Sequence, residues 1–425
     1  WGFCALLFVF VRMLRGKDMN VSVLLCVILG AILNGESILG FANTIYKSLG
    51  SFCALIGFII VLSSGLAEIL SQTKVAHNLV YTVVNRFKLK SKRAAILISM
   101  ATSTLMVSLL GTLAGSNAII APILIPIVAS VGLTPSTLGV ILHGAGATGL
   151  YIGPFVTPVV TIMGLTGLTY GQFLKSAGIP LAIIVWGSTF FMACRTQRKT
   201  EGHEAYSEAD KEAVAFKPDE KCKRATLAFL AAMAVTIVYG LIAKAGASYA
   251  ILVMMTVSII VGLVGGLAFK ESLTTMIQGG SKMFWMFFMF VLFDPFLNYV
   301  SASGAFDAIT KLMEPLIATG GEVAFMMIAS AIGVFGISGT GVAQAQIIHE
   351  LFLPMVNAMR MDMYTWALIV LVGCQVTFFV TPTVDMVGQM GLARSKNIKA
   401  MLANGWVLTI ITFAYVLVRA IIYVS

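Results

Sequence analysis

Asp385 lies in VTPTVDMVGQMG, four residues after a Thr-Pro step in an otherwise apolar stretch. A carboxylate placed inside a membrane is costly and marks a proton or sodium site by default; its plainer role is to cap a helix that opens to water. His143, in LHGAGATG, is a second candidate for proton or cation coupling, since imidazole titrates near neutral pH, and a buried, hydrogen-bonded ring is the alternative. The other polar groups cluster at Gly115-Ser116-Asn117, Thr157-Pro158, Ser338-Gly339-Thr340 and Thr381-Pro382-Thr383. Each cluster mixes helix breakers with hydroxyls. A helix that restarts inside a membrane exposes N–H groups worth about half a positive charge, which attract a carboxylate or another oxyanion. The carbonyls freed on the other side of the break, with Ser and Thr hydroxyls and the Asn117 amide, suit sodium. Pro158 and Pro382 each follow a Thr suited to N-capping, so the spacing predicts Pro at the first helical position, where its missing N–H costs nothing.

The elements that must position these groups are membrane helices. Hydrophobic residues make up 59% of 425 positions and charged ones 11%, with a mean hydropathy of +0.96, too apolar for a soluble chain. Apolar runs of about 20 residues recur without the period-2 alternation of a barrel. The net charge of +10 sits in short clusters beside apolar runs, which is the positive-inside pattern and not a nucleic-acid footprint. The six cysteines, Cys4, Cys26, Cys53, Cys194, Cys222 and Cys374, lack metal-type pairing and read as packing residues. No cleavable signal is visible, and the apolar run already under way at Trp1 leads us to expect a start further upstream.

Counting basic clusters along the chain gives a topology. Residues 1–11, 20–33 and 50–71 are spans, and 74–93 is a surface segment closing in Arg86, Lys88, Lys90, Lys92 and Arg93. A re-entrant hairpin over 94–131 has its tip at Ala114–Asn117; four full crossings would give the same parity. A long helix over 137–167 is broken at Gly153–Pro158, and a span follows at 171–193. The polar run 195–223 is a cytoplasmic linker whose mixed charge reads as solvated. The second half repeats this order, with spans at 224–243, 249–269 and 282–300 and an amphipathic segment at 301–321. A second hairpin over 322–358 has its tip at Ser338–Gly341, a second broken helix over 363–393 breaks at Thr381–Thr383, and the last span is 401–424. Gly115-Ser116 aligns with Gly339-Thr340, and Thr157-Pro158 with Thr381-Pro382, at one shared offset. Parity opens the first hairpin to the cytoplasm and the second outward. The expected fold is therefore an all-α polytopic membrane protein of two inverted-topology repeats, 1–194 and 224–425, each with a re-entrant hairpin and a discontinuous helix, the architecture of secondary transporters.

The runs GSNAIIAPILIPI, GPFVTPVV and GLTGLTYGQFLKSAGIPL resemble the ion transporter superfamily. Its members include divalent-anion/sodium symporters, anaerobic dicarboxylate carriers, membrane subunits of tripartite periplasmic transporters and NhaC-type sodium/proton antiporters. The resemblance spans roughly 50–190 and 280–420. It implies that Ser116, Asn117, Thr157 and Pro158 line one substrate half-site, and Ser338, Thr340, Thr381 and Thr383 the other. Sodium would sit at the hairpin tips, on Gly115, Ser116, Asn117, Gly339 and Thr340. The tip here reads Ser-Asn-Ala where the anion/sodium symporters have Ser-Asn-Thr, its partner reads Ser-Gly-Thr-Gly, and Gly144–Thr161 lacks the acids of the antiporters.

Other polar groups read more plainly. Glu68 is a surface acid near a cytoplasmic helix end, and Asp294, beside Pro295, is a polar kink or a site toward the outer part of its span. Gln344, Gln346, His349 and Glu350 line a pore or an outward-facing edge. The small residues Gly144–Gly149 allow close helix packing. WMFFMFVLF at 285–293 faces lipid, or a partner subunit in a homodimer. The leading expectation is a secondary active transporter of a small organic anion, a carboxylate, coupled to sodium or protons in a bacterial inner membrane. The rivals are a sodium/proton antiporter without organic substrate and the membrane subunit of a tripartite carboxylate transporter. No nucleophile or metal set for an enzyme is present, and no Gly-x-Ser-x-Gly.

Overall fold

The computed structural model describes residues 18–86, 91–211, 218–335 and 341–425. Within them the regular structure is helical, and nine helices are long and apolar enough to cross a membrane. The first half holds α1 (Met19–Leu33), α2 (Ile38–Ser48), α3 (Phe52–Gln72), α4 (Val75–Arg86), α5 (Lys92–Leu110), α6 (Leu113–Ser130), α7 (Pro135–Ile152), α8 (Thr157–Thr166) and α9 (Tyr170–Thr200). The second holds α10 (Glu220–Ile242), α11 (Tyr249–Val264), α12 (Phe269–Ser281), α13 (Phe284–Ala302), α14 (Ala305–Ala331), α15 (Gly341–Ala358), α16 (Met363–Val380), α17 (Val384–Leu392) and α18 (Ile398–Val424). α14 runs through a kink at Gly321, whose φ of 61° no other residue type adopts as cheaply, so the segments expected on either side of 321 form one bent element.

Side-chain bonds sort the helix ends into two faces. At one end Thr134 bonds Thr200 at 2.7 Å, Lys92 pairs with Glu201, and Ser136 Oγ lies 3.0 Å from Ser395 Oγ. At the other, Gln172 donates to Tyr364 at 3.0 Å, and the Asp362 N–H to Tyr423 at 3.4 Å. Both outer ends of the α5–α6 hairpin lie at the first face, whereas α15 ends toward the second.

The connection between halves lies on the first face, and it is not solvated throughout. Glu204 accepts from the Ser136 N–H and hydroxyl and from Asn397 Nδ2, and the buried Tyr206 donates to the Ala393 carbonyl at 2.9 Å. Arg394 pairs with Asp210. Charge density misled here, because the carboxylates and the phenol meet partners on α7 and on the loop before α18. The linker is also shorter than expected, since α9 continues to Thr200.

The hairpin tip needs a second correction. The chain turns at Gly111 and Thr112, three residues before the expected Ala114–Asn117, because Gly111 ends α5 at φ 80°, a conformation glycine adopts without Cβ strain. Gly115, Ser116 and Asn117 consequently stand in the first turns of α6. Glycines elsewhere set helix spacing. A Cβ on Gly149 would stand 2.6 Å from the Thr104 carbonyl oxygen, and one on Gly144 2.3 Å from Thr189 Oγ1, so this run brings α5 and α9 against α7.

Candidate functional site

Two broken helices cross the bundle. From the linker face the first runs for 18 residues as α7, breaks at Gly153–Val156, and continues for 10 residues as α8. The second arrives from the far face as the 18-residue α16, breaks at Thr381–Thr383, and ends with the 9 residues of α17. At 1.5 Å per residue the first break is about 27 Å from the linker face and the second about 13 Å. The N-terminus of each short piece points toward the middle, but by these lengths the two stand at different depths, about 13 Å apart.

The caps differ from expectation at both breaks. Val156 occupies the cap position of α8 without a side-chain bond, and Thr157 and Pro158 are its first two helical residues, both buried. At the second break Thr381 is extended and Thr383 is the cap, accepting the Met386 N–H at 3.1 Å. Pro382 thus precedes the cap instead of opening the helix, and it holds Thr381 out of the helical region. Thr381 and Pro382 are exposed, and Thr383 is buried.

Two residues of the first half hold this second break. His143 is fully buried on α7, and its Nε2 lies 3.0 Å from the Phe378 carbonyl. A carbonyl only accepts, so Nε2 donates, and Nδ1 is left buried without a partner. The ring also meets Phe379 edge-on at 5.3 Å between centroids. Asn117, equally buried, donates to the Leu142 carbonyl at 2.8 Å and to Gln389 Oε1 at 2.7 Å, and accepts from Ser103 Oγ at 2.8 Å. These bonds tie α5, α6, α7 and α17 together.

Asp385 stands in the first turn of α17, half-buried, with no hydrogen-bond or ion-pair partner among the described residues. Gln389 follows four residues later, one turn along, fully buried with Nε2 unpartnered. A carboxylate at a helix N-terminus is stabilised by the dipole, and one without a basic neighbour is free to take a cation or a proton. The structure therefore gathers Asn117, His143, Thr383 and Asp385 around α17 and leaves Thr157 and Pro158 at the other break. Ser116 turns inward and bonds the Thr112 carbonyl of its own helix, whereas Gly115 is exposed. Ser338, Gly339 and Thr340 lie outside the described residues. Sequence reasoning missed Gln389 and Ser103; the i, i+4 spacing of Asp385 and Gln389 was the available signal.

A family model described as the Na+/H+ antiporter family matches residues 2–194. Among solved structures, the YdaH transporter of Alcanivorax borkumensis aligns over 99% of this chain and 98% of that one, with a TM-score of 0.60 at 14% identity. This chain shares its fold. MtrF of Neisseria gonorrhoeae, described with a class of antimetabolite efflux pumps, aligns over 90% of this chain and 84% of that one at 13% identity and a TM-score of 0.49. No curated protein matches the sequence.

Proposed function

We propose that this protein is a secondary active transporter that exchanges sodium for protons, with Asp385 carrying either ion in turn. The observation behind this reading is Asp385 itself, an acid without a basic partner at a helix break inside the bundle. A carboxylate that binds sodium when ionised and a proton when neutral couples the two flows by competition. The antiporter match over 2–194 agrees with this reading. We take His143, bonded to the end of α16, and Asn117, bonded to α17, as the groups that fix the second break in position. The linker face is then cytoplasmic, in a bacterial inner membrane, and the two halves are inverted repeats. The opposite order of long and short pieces in the two broken helices supports that assignment.

One observation favours a second substrate. The N-terminus of α8 has neither a side-chain cap nor an acid, so it suits an organic carboxylate, with sodium or a proton held at Asp385. The depth difference between the breaks means that such an anion and its coupling ion occupy separate places.

Purified protein in proteoliposomes tests both readings. Sodium added outside should collapse a preset pH gradient, and Asp385→Asn should abolish this while the protein stays folded. Exchange that persists in Asp385→Asn refutes the central role of that carboxylate. Sodium-driven accumulation of a labelled carboxylate, without sodium/proton exchange, would favour the second reading.

A further inference from the structure

A pair of acids lies toward the far face, away from Asp385. Phe290 of α13 packs on Gly57 of α3, where an added Cβ would stand 3.0 Å from Phe290 Cβ. One turn further along each helix, toward the far face, are Asp294 and Cys53. Asp294 Oδ2 accepts from Ser48 Oγ at 2.9 Å and from Asn298 Nδ2 at 3.4 Å. Across from it α15 presents Gln346 and Glu350, four residues apart and so on one helix face. Gln346 is only 2% exposed; its Oε1 accepts from Cys53 Sγ at 3.5 Å, and its Nε2 has no partner. Asp294 and Glu350 both lie within electrostatic reach of Cys53 and of each other. Neither forms an ion pair among the described residues.

Two neighbouring carboxylates with no ion-pair partner among the described residues, beside a buried amide with an unsatisfied end, are poorly arranged for stability alone. Rotation of the Gln346 amide about its last bond exchanges nitrogen for oxygen and turns the unpartnered position into a ligand for a cation. We propose that Asp294, Glu350, Gln346 and Ser48 form a sodium site on the far side of the bundle, distinct from Asp385. Carboxylate, amide and hydroxyl oxygens are the donors that hard cations take, and the choice of sodium rests on the exchange reading above. The site joins α2 and α13 to α15, so occupancy couples the second hairpin arm to the helices around it. Its open side at the exposed Glu350 lets it gather sodium before the ion reaches the second break.

Thermal unfolding of the full-length protein in detergent tests this, with sodium chloride replacing choline chloride at constant ionic strength. A ligand that binds only the native state raises Tm. Asp385→Asn removes the other proposed site and should still show a sodium-dependent rise in Tm. Adding Asp294→Asn and Glu350→Gln should abolish that rise. Should the triple variant fail to fold in choline, Glu350→Gln with Asp385→Asn serves instead, with the sodium concentration at half-effect raised several-fold. The site is refuted by an undiminished rise in the variant, by no rise in Asp385→Asn alone, or by an equal rise with potassium or calcium. Exchange in proteoliposomes reports separately on Asp385, so a failed exchange reading leaves a retained, Asp294-dependent sodium shift intact.

Discussion

Asn117 shows how one buried amide can position an element from the other half of the chain. Its bonds to Ser103, Leu142 and Gln389 satisfy most of its capacity, so deleting it strands the buried Ser103 hydroxyl and the Gln389 amide together. Side-chain bonds in a membrane average about 0.6 kcal/mol and reach about 1.7 kcal/mol. A double-mutant cycle of Asn117→Ala and Gln389→Ala, read by reversible unfolding, should give a favourable coupling within that range; zero coupling would deny the bond. His143 is predicted to be structural. His143→Gln retains a donor for the Phe378 carbonyl and should keep exchange, whereas His143→Leu leaves that carbonyl only the 3.5 Å contact from Thr383 Oγ1 and should lower stability by about 1 kcal/mol. Exchange lost in His143→Gln despite unchanged stability would return His143 to the coupling role its residue type suggests.

At the level of elements, close backbone contact sets the second break. A Cβ on Gly405 of α18 would stand 2.0 Å from the Phe379 carbonyl oxygen, so Gly405→Ala must push α18 away from the last turn of α16. Gly187, exposed on α9, has nothing within 4 Å of such an atom, and Gly187→Ala should gain up to about 1 kcal/mol of helix propensity. Comparing Tm for the pair checks the packing: Gly405→Ala should fall and Gly187→Ala should hold or rise. The breaks themselves were legible because Gly-Pro and Thr-Pro steps interrupt apolar runs. The linker-face ends were legible because basic clusters mark them. Cap positions were not, since Thr381 and Thr383 flank Pro382 with equal chemical claims, and only Pro382's effect on its neighbour decides between them. Nor was the hairpin tip, because Gly111 and Gly115 both offer a turn. Gln389 escaped notice because a lone glutamine in an apolar helix reads as incidental until its partners arrive from distant segments.

Across the whole molecule, the linker face holds both broken helices by the ends that reach it. Glu204 spans from Ser136 at the start of α7 to Asn397 before α18, and Ser136 touches Ser395 just beyond α17. The nearby Lys92 holds the Glu201 carboxyl below its usual range. That pair therefore contributes fully above the unfolded pKa, and the contribution is lost as pH falls through the lowered value. Exposure of both side chains to solvent keeps it small, so Glu201→Gln should change Tm little at pH 7, and less still in high salt. If alternating access moves α17 against α7, the Ser136–Ser395 contact must open. The two hydroxyl oxygens are 3.0 Å apart, close enough for cysteines there to reach disulfide geometry after a small adjustment. In a background without the native cysteines, Ser136→Cys with Ser395→Cys should cross-link under mild oxidation and stop exchange, and reduction should restore it. Full cross-linking with undiminished exchange would place the moving boundary elsewhere in the bundle, because a disulfide at this contact holds the linker-face ends of α7 and α17 together.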